Sequence, residues 1–346
     1  MNTRRSAERQ FGGQRVKRRS IVAGSAAVMA GALMAPNTTR AQPAVRVRRV
    51  GWLSSTHSVV RPTLSEPLRQ LGWVEGRNIA FEVRYTEGQR ERFLPFAKEL
   101  VAAQVEIIVA VAPTAIRATM QATSEVPIVM AWWGGPDLVE AGLIGSYARP
   151  GGNVTGVDML LSALDAKRLD VLRQAVPKAT KVAVLIHNRK DYEPQMPPVR
   201  EVARKAGLNL EIFDTLDTRD SSVNYSEAFD AIARSRCQAL LVMSSPLFAR
   251  DSKPIIEAAA RIGVPAMHGE VRNAREGGLI AYGTTPAHLD RQVARQIDRI
   301  LRGARPGDLP VEQPSRYEMA INLTTARTLG LVIPQALLLQ ADHVID

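Results

Sequence analysis

The 346-residue chain predicts an α/β protein made of two doubly wound parallel-sheet lobes behind a basic amino-terminal leader. Three observations predict it. Short β-branched runs alternate with helical patterns of about ten to fifteen residues, the signature of βαβ units. The order of those signals repeats once along the chain. The composition, 45% hydrophobic and 23% charged with 24 Gly, 21 Pro and one Cys, suits ordinary globular domains and excludes a disordered, collagen-like or disulfide-stapled chain.

The leader comes first. Residues 1–41 hold eight Lys and Arg against Glu8 alone, a local net of +7 out of +11, so the remaining 305 residues carry only +4. That remainder shows no basic stripe, and no nucleic-acid partner is expected. Lys17-Arg18-Arg19 precedes residues 21–35, an uncharged run rich in Ala, Gly, Val and Met. At about fifteen residues the run is shorter than the roughly 20 a membrane-crossing helix needs. Thr39, Arg40 and Ala41 then form a small-x-small exit before Gln42, and the whole resembles a cleavable twin-arginine export signal. A basic disordered arm and a DNA-binding arm are the competing readings. Export would place a soluble mature protein in the periplasm, and Cys237, the only cysteine, excludes an intramolecular disulfide.

Eight strands follow from the apolar runs, at residues 48–53, 78–85, 106–111, 128–132, 181–187, 209–215, 239–243 and 264–268. The clearest helix spans 286–302, where Leu289, Val293, Ile297, Ile300 and Leu301 share one face and Gly303 stops it. Leu71-Gly72 recurs as Ala206-Gly207, and Val126-Pro127-Ile128 as Val264-Pro265-Ala266, offsets of about 135 to 138 residues that suggest two related lobes. In such sheets ligands bind beyond the carboxyl ends of the strands, so facing lobes would enclose a cleft that closes by hinge motion.

The side chains after the predicted strands are Ser54, Ser55, Thr56, Thr114, Asn188, Ser244 and Ser245, with Phe248 opening the next helix. Each hydroxyl can equally cap its own helix. Together, helix N-termini converging on a cleft offer N–H donors to an anionic group such as a carboxylate. Trp132, Trp133, Phe248 and Tyr282 offer flat apolar surface, and Asp137, Asn188 and Glu270 polar partners. Period-two alternation turns Trp132 and Trp133 to opposite faces of a continuous strand.

Motifs of catalysis are absent from the sequence: no H-x-x-x-H or Cys/His spacing among the five histidines, no phosphate-binding glycine loop, no G-x-S-x-G. Neither a catalytic residue, a metal site nor a cofactor is expected.

Val50-Gly51-Trp52-Leu53-Ser54-Ser55, Leu71-Gly72-Trp73-Val74-Glu75-Gly76-Arg77-Asn78, Arg149-Pro150-Gly151-Gly152-Asn153-Val154-Thr155-Gly156-Val157, Gly277 through Gly283 and the tail from Ile333-Pro334 to Asp346 resemble the ABC-transporter substrate-binding proteins of the tryptophan/tyrosine-uptake type. The resemblance implies a type I periplasmic-binding-protein fold crossed three times, near Val157, Thr284 and Leu309. The parts would be a signal over 1–41, one lobe from 42–157 with 284–308, and another from 158–283 with 309–346. It also implies ligand contacts at Ser54, Ser55, Thr114, Asp137, Asn188, Ser244 and Ser245, with Glu270 a weaker candidate. Where the family often shows Gly-Asp-Pro, this chain has Pro136-Asp137-Leu138, so Asp137 keeps its place without the following proline.

The expected role is a monomeric periplasmic receptor that captures an amino acid or related carboxylate and delivers it to a membrane ABC permease. Three rivals stand beside it. One is a ligand-binding partner of a membrane sensor, another a periplasmic α/β enzyme using Asp137 or Glu270, and the third a LacI-like regulator, which would need a helix-turn-helix where this chain has the apolar leader.

Overall fold

A computed structural model describes residues 46–56, 60–216 and 223–346; the predicted export signal lies outside the described residues. The chain after the leader forms two sheets. The first contains β1 (Arg48–Ser54), β2 (Ile79–Tyr85), β3 (Ile107–Ala110), β4 (Ile128–Trp133) and β5 (Val154–Asp158) in the order β2-β1-β3-β4-β5. All its ladders are parallel. The second contains β6 (Lys181–Ile186), β7 (Asn209–Asp214), β8 (Ala239–Val242), β9 (Ala266–His268) and β10 (Ile280–Gly283) in the same order, β7-β6-β8-β9-β10. Beyond β10 it adds β11 (Glu318–Asn322), antiparallel, and β12 (His343–Ile345). The sequence repeat therefore has a structural counterpart in strand order.

Helices cover both faces of each sheet, so the central strands are buried throughout, as parallel sheets require. In the first sheet Val50, Trp52, Ile107, Val109 and Val129 face the helix Pro286–Leu301 through Leu289, Val293 and Ile297. The alternate residues Leu53, Ile108, Ala110 and Met130 pack on Phe93, Leu100 and Ile116. In the second, Val182, Val184 and Leu241 face one core and Ala183, Leu185 and Leu240 the other. Pro286 sits in the first turn of its helix, where its missing N–H costs nothing.

Four strands, β5, β10, β11 and β12, were not among the eight read from the sequence. They are three to five residues long and include Gly156 and Gly283, so no alternating pattern marks them. Their pairing is tertiary. Gly156 has φ +136°, and a Cβ there would lie 2.2 Å from the Met130 carbonyl oxygen, so β5 can pair with β4 only with glycine at this position.

Among the described residues the chain passes between the sheets three times: from β5 into the helix Leu161–Ala175, from β10 into the helix Pro286–Leu301, and between Glu312 and β11. The third passage lies later than Leu309. The intervening residues run along β5: Thr155 Oγ1 donates to the Leu309 carbonyl at 2.8 Å, Glu312 N–H to Gly156 at 2.8 Å and Asp158 N–H to Glu312 at 2.9 Å.

Candidate functional site

The strand order places the carboxyl ends of β1, β3 and β4 opposite those of β6, β8 and β9, and two adjoining chambers lie between them. They share Trp132, Leu161, Ser244 and Ser245. The first chamber, about 810 Å³ with its mouth, is lined by Ser55, Arg90, Ala112 and Thr114 from the first sheet's loops and by His187, Asn188 and Tyr192 from the second's. The other, about 840 Å³ with its mouth, reaches the passages between the sheets through Met159 and Thr284. We call it the hinge-side chamber. Its wall is mainly apolar, with Val242, Phe248, Ile255 and Leu289 contributing.

Seven of the ten candidate residues line this cleft: Ser55, Thr114, Asn188, Ser244, Ser245, Phe248 and Glu270. Ser245 is also an N-cap, its Oγ accepting from Leu247 N–H at 3.1 Å. Asn188 takes a left-handed φ of +65° and caps the following turn, accepting from Lys190 N–H at 3.3 Å. Ala112, across the cleft, has φ +72° and opens the helix Ala112–Ala122, whose N-terminus has no side-chain cap. Non-glycine residues in this region carry backbone strain of order 1–3 kcal/mol, and such strain concentrates at ligand clamps. Glu270 is held by Arg272, whose Nε donates at 2.6 Å.

Three candidates lie elsewhere. Ser54 is wholly buried at the end of β1, below the cleft floor that Ser55 reaches, because adjacent residues of a strand point oppositely. Asp137 is exposed and caps its own loop, Oδ1 accepting from Val139 N–H at 2.8 Å and Glu140 N–H at 3.0 Å, Oδ2 from the Tyr147 hydroxyl at 3.1 Å. The bond from Glu140 leads the causes that hold its carboxyl below the usual range. Without the proline after it, Asp137 does what aspartate does in turns. Tyr282 contributes only its carbonyl, accepting from Arg168 Nε at 2.7 Å, while its ring packs 6.0 Å from that of Tyr317.

The two tryptophans divide as alternation requires. Trp133 is fully buried in the core, its Nε1 donating to Pro136 at 3.0 Å, whereas Trp132 lines both chambers.

Sequence reasoning missed Arg168. Spaced three residues from Asp165 on a helix, it reads as a solvated pair, yet both side chains are buried at the cleft wall, 2% and 0% exposed. The Arg168 guanidinium donates to Asp165 at 2.6 Å, to Gly269 at 3.0 Å and to the Ser244 hydroxyl. Gly269 and Gly283 make room for it, since a Cβ at either would lie about 3 Å from Nη2. Burial pushes the Asp165 carboxyl upward against the opposing pull of Arg168. Because Ser244 Oγ accepts from Arg168, its own proton is left available to donate. Also missed was Arg250, which crosses between the halves: its Nη1 donates to the buried Thr56 hydroxyl at 2.8 Å. His268, at the end of β9, is 3% exposed, and burial lowers its pKa to about 4, so the ring is neutral near pH 7.

Among the described residues no group of three or more His, Cys, Asp or Glu is placed to hold a metal ion, and no helix is long and apolar enough to cross a membrane.

With this geometry in place, three comparisons bear on it. The sequence model of the family described as ABC transporter substrate binding protein matches residues 56–345. A tyrosine-binding protein of Clostridioides difficile (strain R20291) is 27% identical over 266 residues, 76% of this chain and 74% of that protein. Among solved structures, a conserved domain protein from Vibrio cholerae superposes with a TM-score of 0.75 at 24% identity, covering 86% of this chain and 100% of that one. An ABC domain from Streptococcus pneumonia in complex with L-Trp superposes with a TM-score of 0.73 at 22% identity, with the same coverage.

Proposed function

The chain belongs to the family of ABC transporter substrate-binding proteins, and from that membership and the cleft we propose that it captures an amino acid or related small carboxylate, aromatic in its side chain, for delivery to a membrane permease. As a member of that family it is a solute binder and not an enzyme. One observation carries the ligand class: the two chambers share Trp132, Leu161, Ser244 and Ser245, so polar anchors and an apolar wall drawn from both halves meet in one space. The carboxylate is placed in the first chamber, where Thr114 and the uncapped N-terminus of the helix Ala112–Ala122 face Asn188 and where a negative charge is favoured. The side chain lies against Trp132 and Phe248. Neutral donors hold such a ligand without a fixed counter-charge, which keeps its release reversible. The tyrosine-binding relative and the L-Trp-bound neighbour support an aromatic amino acid.

Ligand contacts with both halves favour the closed arrangement, since only a ligand that binds that arrangement better can shift the equilibrium toward it. In this reading residues 1–41 export the protein to the periplasm, where it acts as a monomer. Calorimetric titration of the purified protein with a panel of amino and aromatic acids tests the ligand class. Saturable binding of at least one is expected, and binding of none would refute it. Retention of the protein by its reconstituted permease would support delivery, and retention only by a sensor ectodomain would replace it.

A further inference from the structure

Trp132 near the end of β4, His268 at the end of β9 and Thr284 just past β10 put three polar side chains beside the hinge-side chamber. All three are at least nine-tenths buried, with 9%, 3% and 8% exposure. Trp132 Nε1, His268 Nε2 and Thr284 Oγ1 each lack a hydrogen-bond partner. A buried donor or acceptor left unpaired is costly and rare in folded proteins, so three around one chamber mark a place built to receive a polar group. They come from three separate parts of the chain, and the rest of the chamber wall is mainly apolar, with Leu161, Ile255 and Leu289.

The charge of the lining narrows the class. Arg168 is paired with Asp165, and Glu270 with Arg272. Each charged side chain is thus balanced by its own partner, and an ionic group entering the chamber would be desolvated without a counter-charge. The indole N–H only donates, the threonine hydroxyl does both, and an imidazole nitrogen accepts or donates according to its proton. A hydroxyl, with one donor and two acceptor positions, can meet such a set; a C–H cannot.

We propose that the hinge-side chamber is the distal subsite of the ligand and takes a ring or chain ending in an uncharged hydroxyl, recognised by Trp132, His268 and Thr284. The inference rests on the reading of the cleft as a carboxylate-solute site, with the carboxylate held in the first chamber.

Calorimetry with matched acids that differ by one distal hydroxyl, L-tyrosine against L-phenylalanine and 4-hydroxyphenylacetate against phenylacetate, tests it on the unmodified protein. The hydroxylated member is expected to bind at least about tenfold more tightly, and 4-carboxy-L-phenylalanine more weakly than tyrosine. Thr284→Val, which keeps the size of the side chain, and Trp132→Phe, which keeps a ring but also weakens both ligands through lost contact area, should each shrink the tyrosine-to-phenylalanine ratio. Acids that bind without this ranking would overturn the distal subsite and leave the proposed function standing; failure of every acid to bind would overturn both. A ranking that neither variant alters would also remove the assignment to this chamber.

Discussion

Replacing Arg168 by methionine removes a buried guanidinium and strands Asp165, whose side chain is wholly enclosed. The substitution also frees the acceptors at Gly269 and Tyr282 and the Ser244 hydroxyl. Breaking a buried ion pair from one side costs about 3–5 kcal/mol. With a urea slope of about 3 kcal/mol per molar for a chain of this size, the unfolding midpoint should fall by about 1–1.7 M at pH 7.5. The pH dependence has a definite sign. Burial already raises the Asp165 carboxyl, and without Arg168 nothing opposes that push. The folded variant then holds its proton more tightly than the unfolded chain does. Its stability is greatest below the ordinary carboxyl range and is lost as pH rises toward the raised value, so the deficit against the parent should shrink on acidification from pH 7.5 to 5. The double variant Arg168→Met/Asp165→Leu removes both charges and should recover most of the loss. A single variant within about 1 kcal/mol of the parent at pH 7.5, or a double variant no more stable than the single, would refute the reasoning.

Thr56→Val deletes the acceptor of the bond from Arg250 that joins the halves; a loss of about 1 kcal/mol should open the unliganded protein in small-angle scattering and weaken ligand binding about fivefold. Gly283→Ala places a Cβ 2.0 Å from the Gly269 carbonyl oxygen, whereas Gly145→Ala meets nothing nearer than 3.5 Å. Thermal unfolding should show the first destabilised by about 1–3 kcal/mol and the second unchanged. His268, lowered by burial from 6.5 to about 4, contributes stability that is present above pH 6.5 and is lost as pH falls through that window. His268→Phe should therefore lose about 2–3 kcal/mol less than the parent between pH 7 and 4.5, read from urea midpoints. A reporter fused behind residues 1–41 should reach the periplasm, and Arg18→Lys with Arg19→Lys should hold it in the cytoplasm, as fractionation will tell.

Period and position in the chain were enough to place the eight main strands and the long helix at Pro286–Leu301, because parallel strands buried on both faces read as continuous apolar runs and a one-faced helix shows its stripe. The cleft was legible to the same degree: residues that follow strands in a doubly wound sheet gather at one edge, so Ser55, Thr114, Asn188, Ser244 and Ser245 meet. Local chemistry also explains Asp137, whose turn-capping role competes with any part in a cleft.

What the chain's order of residues determined by itself is the alternation of elements, the repeat and the set of strand-end side chains. Tertiary structure alone decided which of two neighbours faces the cleft, Ser55 over Ser54 and Trp132 over Trp133, since both faces of the sheet are covered by helices and only the packing at the strand ends leaves one neighbour open to the opposite half. It likewise turned Asp165 and Arg168 from an apparent surface pair into a buried support for Ser244, because burial is set by what packs over a helix and not by the helix's own composition.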